Sequence, residues 1–232
     1  MKKVLFIDNT AHHAYGQIHN MQALRAHGYA VSVLIPDDGD YFNKLQTLGF
    51  QCISNIRSWR GQNPLQELLL LLHLRKIIKT IAPALICSFT IKPNLYTAIA
   101  IKGKPIKQIA NITGLGHAFM NGSVKATLFS MLYRYALKKV SHIFFQNDED
   151  CSFLLNSKII TIKSSIFVLP GSGVDLTKYF FTKMRNSSTI EFLYSGRIIG
   201  DKGIHELVQA FVKVRQKHPN TELVFIGNLF PA

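Results

Sequence analysis

The chain has 232 residues, 47% of them apolar and 17% charged, enough to bury a packed core and too apolar for wholesale disorder. Its 27 Lys and Arg stand against 13 Asp and Glu, and the formal charge of +14 draws polyanions without choosing among nucleic acid, anionic headgroups and phosphorylated substrates. Three isolated cysteines, Cys52, Cys87 and Cys151, form neither an even framework nor a CxxC pair, which excludes a disulfide scaffold and suits a reducing compartment.

From the N-terminus, short β-branched or aromatic runs alternate with longer helical patterns. The first run, Val4–Ile7, stops at Asp8 and is too short for the apolar region of a signal peptide. Strands are predicted at Val4–Asp8, Val31–Pro36, Phe50–Ser54, Ala84–Ser88, Lys107–Ile112, His142–Gln146 and Ile166–Leu169. Helices are predicted between them at Gly16–His27, Tyr41–Leu48, Leu65–Ile81, Pro93–Ile101, Val124–Val140 and Asp148–Leu155. Nearly continuous apolar strands alternating with helices predict an α/β fold, a Rossmann-like parallel sheet covered on both faces. The apolar stretch Leu68–Leu72 lies between Glu67 and His73, too short to span a bilayer. Residues 1–176 are therefore expected to form one domain and the polar, basic stretch 177–189 a linker. Residues 190–232 repeat the pattern once, with strand Ile190–Ser195, helix Lys202–Lys217 and strand Glu222–Gly227. This partial βαβ unit has too few strands to bury both faces of a sheet and reads as the start of a second domain.

Chemistry is densest where that second unit opens. Ser195-Gly196-Arg197 ends a strand in a glycine turn, and Asp201-Lys202-Gly203 begins a helix. Ligands of open α/β sheets bind at the carboxyl ends of strands, and a helix N-terminus there offers unpaired N–H groups to an anion. A guanidinium at Arg197 and an ammonium at Lys202 would complete a seat for a diphosphate; an ordinary basic loop has the same composition. In the first domain, Lys92 follows the strand Ala84–Ser88 at the ligand edge, suited to an acceptor diphosphate or to solvent.

Four segments carry a resemblance. Phe192–Gly227 resembles the opening of the C-terminal domain in the retaining glycosyltransferases of family 4, which have the two-domain GT-B fold. Leu169-Pro170-Gly171-Ser172-Gly173-Val174-Asp175 is similar to that family's interdomain segment. Ser88–Asn94 and Asn111–Gly116 resemble its branch that builds bacterial surface polysaccharides on a polyprenyl diphosphate lipid. The resemblance implies a nucleotide-sugar donor whose diphosphate meets Gly196, Arg197 and Lys202, a polyprenyl-linked acceptor meeting Gly16, Lys92 and Gly114, and no cofactor. It places Thr113-Gly114 where many relatives have a His-Gly pair lining the reaction centre, with His117 three residues beyond; Thr113 and His117 are the catalytic candidates, His117 being equally readable as a packed or surface residue. Gly16 is the single glycine of a first loop that is glycine-rich in many relatives. The family's paired glutamates of the donor site have no counterpart before Ala232, so this chain alone is expected to show little transferase activity. The alternative is a non-enzymatic remnant, a folded domain that binds a membrane or a partner.

Two helices bear on the membrane. Leu128, Met131, Leu132, Tyr135 and Ala136 share a stripe near Lys125, Arg134, Lys138 and Lys139, and Leu65–Ile81 joins a leucine run to Arg75, Lys76 and Lys79. Each is readable as a core-facing helix with a solvated basic face or as a helix lying in an anionic headgroup layer. Of the charged residues, 22 basic and 9 acidic ones lie before Asn186, an excess of +13 that, together with the lipid-linked acceptor the resemblance implies, favours the membrane. The expected place is cytoplasmic, peripheral on the inner face of the membrane. No nucleic-acid partner is expected, for the chain shows no reading module and no aromatic-basic stripe on adjacent strands. No metal is expected either: Asp38-x-Asp40 reads as a turn and helix start, and the nine histidines form no ligand cluster.

Overall fold

The computed structural model describes residues 1–37, 39–54, 59, 63–115, 124–138, 140–160, 165–183 and 187–227. The chain divides into two compact units, Met1–Val174 and Asp175–Ala232.

The first unit is a seven-stranded parallel sheet: β1 (Lys3–Ile7), β2 (Ala30–Leu34), β3 (Gln51–Ile53), β4 (Leu85–Phe89), β5 (Lys107–Ile112), β6 (His142–Phe145) and β7 (Ser165–Val168). Their order is β3-β2-β1-β4-β5-β6-β7, so the chain builds outward from β1 in one direction, returns, and builds outward from β4 in the other. The predicted α/β, Rossmann-like fold is present. The helices are α1 (Ala11–Tyr15), α2 (Ile18–Ala26), α3 (Asp40–Thr47), α4 (Pro64–Ile81), α5 (Ile91–Ala100), α6 (Val124–Leu137) and α7 (Asp148–Asn156). The five-residue α1 was not predicted; it is too short to show a helical period.

Side-chain alternation assigns the two faces. Val4, Phe6, Val31, Val33, Cys87 and Phe89 point to one side and pack with Ala11, Ala14, Met21, Phe42 and Leu45 of α1–α3. Leu5, Ile7, Leu34 and Ile86 point to the other, against Leu74, Ile77, Ile78 and Ile81 of α4. Further along that second face, Ala110, Ile112, Ile143 and Phe145 meet Tyr133, Ala136 and Leu137 of α6. Cys87 is a core hydrophobe, the pKa of its thiol pushed up to about 12 by burial. Cap chemistry sets the helix starts. Asn63 accepts the Leu65 N–H at 3.0 Å ahead of Pro64, and Asn147 accepts the Asp150 N–H at 2.7 Å ahead of three acids in the first turn of α7. At α3 the cap is Gly39, with φ of 100°, and Asp40 is the first helical residue; Asp38 lies outside the described residues.

A buried polar cluster fastens α5 to the middle of the sheet. Ser88 Oγ donates to Asn94 Oδ1 at 2.7 Å, and Gln108 Nε2 donates to Ser88 Oγ at 2.8 Å and to the Asn94 carbonyl at 3.0 Å. Asn94 Nδ2 donates to the Asn111 carbonyl at 2.9 Å, and Asn111 Nδ2 to the Ser88 carbonyl at 3.2 Å. Ser88, Asn94 and Gln108 are all buried, so each group relies on the others in place of water.

The second unit holds β8 (Ile190–Ser195), a 3-10 turn at Gly200–Lys202, α8 (Ile204–Lys217) and β9 (Thr221–Ile226), with β8 and β9 paired in parallel.

Replacing Asn94 with leucine removes the acceptor of the Ser88 hydroxyl and the amide that donates to the Asn111 carbonyl. The expected cost is about 2–3 kcal/mol, read as a lower urea midpoint at unchanged slope.

Candidate functional site

In an open parallel sheet the ligand edge is the one where strands end in their carboxyl groups, and the preferred place is where the order of strands reverses. Here that place lies between β1 and β4, and its walls are the segments that leave the two strands. After β1 comes Asp8, whose side chain is only 1% exposed. Its carboxylate accepts the Asn9 N–H at 2.7 Å and faces His13 Nδ1 at 2.6 Å. Thr10 caps α1 by accepting the His13 N–H at 3.1 Å, which turns the His13 ring back over the end of β1. The ring meets Phe89, the last residue of β4, edge-on at 5.9 Å between centroids, and its side chain is 33% exposed.

The pair is electrostatically coupled. The hydrogen bond to the Asp8 carboxylate raises the His13 pKa above its ordinary 6.5, with burial opposing. Burial raises the Asp8 pKa, while His13 and the N–H groups of Asn9 and Thr10 hold it down. Asp8 thus favours the protonated form of His13.

After β4 comes Thr90, with φ of 65° and ψ of 172°, a strained setting for a β-branched residue. It stands at the N-cap of α5 without making a side-chain cap, and its buried hydroxyl has no hydrogen-bond partner. Lys92 lies inside the first turn of α5. Its ammonium is 2.7 Å from Glu67 Oε1 of α4, and the other oxygen of Glu67 accepts the Tyr96 hydroxyl. Thr113 and Gly114 follow β5 at the same edge, Gly114 with φ of 140°. Gly16 closes α1 with ordinary helical angles that demand no glycine. His117 and Gly116 lie outside the described residues.

Further along the edge, Asn20 Nδ2 donates to Gln17 Oε1 at 2.9 Å, and Gln17 and Gln146 both donate to Ser172 Oγ, at 3.1 and 3.2 Å. With Asn111 and Phe144 they line a cavity of about 170 Å³. Neutral amides and a hydroxyl beside an aromatic face suit the hydroxyls and ring of a sugar. Of all these residues, the sequence reading singled out Thr113, Gly114, Gly16 and Lys92; it missed Asp8, His13, Gln17 and Gln146. A carboxylate closing an apolar strand was the one signal available for Asp8.

In the second unit, Gly196 and Arg197 follow the carboxyl end of β8, and Lys202 ends the 3-10 turn that leads into α8. Tyr194 ties the loop down by donating its hydroxyl to the Arg197 carbonyl at 2.9 Å, and the Gly196 N–H donates to the Ile226 carbonyl at 2.9 Å. Arg197 and Lys202 are both exposed, and α8 starts at Gly203 without a side-chain cap. Among the described residues, no three His, Cys, Asp or Glu side chains are grouped to hold a metal ion.

The fold and its edge define an open, Rossmann-like α/β domain whose ligand edge lies at the carboxyl ends of its strands. Residues 3–147 match the model of the family described as glycosyl transferase 4-like, and the chain belongs to that family. It is 28% identical over 165 residues to the N,N'-diacetylbacillosaminyl-diphospho-undecaprenol alpha-1,3-N-acetylgalactosaminyltransferase of Campylobacter jejuni, covering 69% of this chain and 43% of that protein. It is 30% identical over 183 residues to the capsular polysaccharide biosynthesis glycosyltransferase CapM of Staphylococcus aureus, covering 71% of this chain and 44% of that protein. The chain therefore spans less than half the length of these relatives. Among solved structures, the sucrose-phosphate synthase of Thermosynechococcus elongatus superposes with a TM-score of 0.70 at 16% identity, over 100% of this chain and 63% of that one. The S. aureus MnaA–UDP structure superposes at 0.62 with 15% identity, over 97% and 62%. These structural likenesses show the fold.

Two outcomes are expected from the geometry. The Cε1–H signal of His13 should titrate above pH 6.5 in NMR, and Asp8→Asn should return its midpoint towards that value. A Cβ on Gly227 would lie 1.7 Å from the Gly196 carbonyl oxygen, so Gly227→Ala should loosen the β8–β9 pair, read as lost amide-exchange protection of the Gly196 N–H.

Proposed function

We propose that the intact protein transfers a sugar from a nucleotide-sugar donor to a polyprenyl-diphosphate-linked saccharide at an anionic membrane surface, during surface polysaccharide synthesis. The observation that carries the reading is the family match across the first unit, joined to relatives whose names specify a diphospho-undecaprenol acceptor and capsule synthesis. The site supports it chemically. The amide-lined cavity beside Phe144 has the character of a saccharide subsite, and Arg197 and Lys202 form the donor diphosphate seat. Catalysis in such a site is positioning of two substrates and electrostatic support of the departing nucleoside diphosphate.

The membrane part of the proposal rests on α4 and α6. Leu65, Leu68, Leu69 and Leu72 stand at helical spacing on α4 and are between 51% and 63% exposed, while Leu74, Ile77, Ile78 and Ile81 of the same helix are buried. On α6, Met131, Leu132 and Tyr135 are exposed, and Tyr133, Ala136 and Leu137 are buried. Two stripes of large apolar side chains thus face outward rather than into the core. Basic groups flank them: Arg75, Lys76 and Lys79 on α4, Arg134 on α6, and Lys102, whose ammonium lies 4.6 Å from the Tyr135 ring centroid. Apolar side chains entering the acyl boundary and cations meeting anionic headgroups are the two contributions that hold an interfacial helix. No described helix is long and apolar enough to cross the membrane. A cytoplasmic, peripheral location and a lipid rather than a nucleic-acid partner belong to this reading.

Vesicles of anionic lipid should sediment the protein at low salt and release it at high salt, whereas neutral vesicles should hold much less of it. Leu68→Ser with Leu69→Ser should weaken partitioning about tenfold or more. Equal binding to both vesicle types would refute the electrostatic part. Transfer itself is tested by appending the remaining C-terminal length of a curated relative and screening nucleotide sugars against a polyprenyl-diphosphate-linked saccharide; no turnover with any donor would refute the enzymatic part.

A further inference from the structure

We propose that His13, held by Asp8 where the sheet reverses its order, is the residue of the first unit that binds a diphosphate, and that this diphosphate is the one carried by the lipid-linked acceptor. The bearer's identity rests on the functional reading above; the anion seat does not.

Three observations meet at this place. The first is the direction of the pair's charge. Asp8 is sealed inside, and its oxygens are taken up by the Asn9 N–H and His13 Nδ1. Its negative charge is therefore spent inward. The imidazole has its second nitrogen on the far side of the ring from Nδ1, so the group that reaches outward is Nε2. In the protonated ring that Asp8 favours, Nε2 carries a hydrogen and is a cationic donor. A donor of that kind seeks an anionic oxygen.

The second observation is Thr90, one residue beyond the Phe89 ring that His13 touches. It holds a left-handed backbone angle, leaves α5 without a side-chain cap, and buries a hydroxyl that nothing accepts. Strain and an unpaired donor one residue from the ring that His13 meets are explained together by a ligand that brings acceptor oxygens.

The third is the state of Lys92, the side chain to which the sequence assigned the acceptor diphosphate. Its ammonium is paired with Glu67 at 2.7 Å. Lys92 thus fastens α5 to α4, and His13 is the cation at this edge whose counter-ion is buried behind it. The charged groups packed against α1 are Asp8, just after β1, and the exposed Asp40 and Lys44 of α3, with His12 on α1 itself. Lys44 lies over Tyr41, 4.7 Å from its ring centroid, and His12 packs edge-on to the same ring.

The test uses the 232-residue chain with Arg197→Gln and Lys202→Gln, which removes the other proposed diphosphate seat. Inorganic pyrophosphate should raise the His13 titration midpoint by about one pH unit, as expected of an anion that binds the protonated ring about tenfold more tightly. His13→Gln should weaken pyrophosphate binding about tenfold at about pH 6.5. Asp8→Asn should bind no better than His13→Gln at about pH 7.5 and should recover its advantage at about pH 5.5, where the ring is protonated without help. Taking His13→Gln as the reference at each pH cancels the titration of pyrophosphate itself. An unmoved His13 midpoint, or undiminished binding by folded His13→Gln, overturns the seat. If Asp8→Asn fails to fold, those two readouts decide alone. Farnesyl diphosphate should shift His13 as pyrophosphate does; a shift with UDP and none with farnesyl diphosphate overturns the assignment to the acceptor. A His13 shift combined with failure of sugar transfer would refute the transferase reading and leave the seat standing.

Discussion

The hydrogen-bonded cluster of Ser88, Asn94, Gln108 and Asn111 is what gives the ligand edge a fixed shape. These four side chains join the end of β4, the first turn of α5 and the middle of β5, with little water available to substitute for any of them. Thr90 sits inside this knot, between Ser88 and Asn94. A β-branched residue leaves its preferred backbone region at a cost of roughly 1–3 kcal/mol, and it stays there only if its neighbours are held more firmly than that. The cluster supplies the restraint, and Phe89 is positioned by it. Phe89 in turn limits where the His13 ring can lie, since the ring is gripped by Asp8 on one edge and by Phe89 on another. The placement of His13 on α1 thus depends on amides that join α5 to β4 and β5.

Much of the frame was legible in the residues. The strands of the first unit are short and almost wholly apolar because both faces are covered, and that continuity is what the pattern shows. The helices after Pro64 and Asn147 were legible as runs of helical pattern between strands. The site was less legible, for physical reasons that differ by residue. The Asp8–His13 pair depends on a five-residue helix that has no readable period, so the two side chains looked like parts of a loop. Lys92 and Glu67 lie 25 residues apart and meet only because α4 and α5 pack side by side. The outward direction of the leucines on α4 was equally hidden. A run of leucines has nearly the same pattern whether it enters the core or leaves it, and only the packing of Leu74, Ile77 and Ile81 beneath the sheet decides which half is buried.

The second unit shows how little a parallel pair can do by itself. Two strands and one helix leave Ile190, Leu193, Val212 and Ile226 exposed among the described residues. Such surfaces need further layers to cover them. Its loop is nevertheless well tied, by Tyr194 to Arg197 and by the close approach of Gly227 to Gly196. Positioning of the basic residues is therefore local, set by side chains of the same short βαβ unit, while burial of the unit is not.

Helix polarity links the membrane to the chemistry. In a parallel sheet each connecting helix runs back against its strands, so its N-terminus lies at the carboxyl edge. On α4 the exposed leucines occupy the N-terminal half and the buried residues the C-terminal half, which places the apolar stripe towards the same edge as Asp8, His13 and Thr90. Glu67, among those leucines, reaches Lys92 and Tyr96 at the start of α5. A bilayer that received the leucines would therefore lie beside the mouth of the site rather than behind the sheet. A diphosphate at the headgroup level would then need to travel little from its lipid to reach an imidazolium at the strand ends, and the basic residues that draw the surface in would also offset the charge of the acceptor. On the proposed reading, membrane attachment and acceptor binding would be two uses of a single edge.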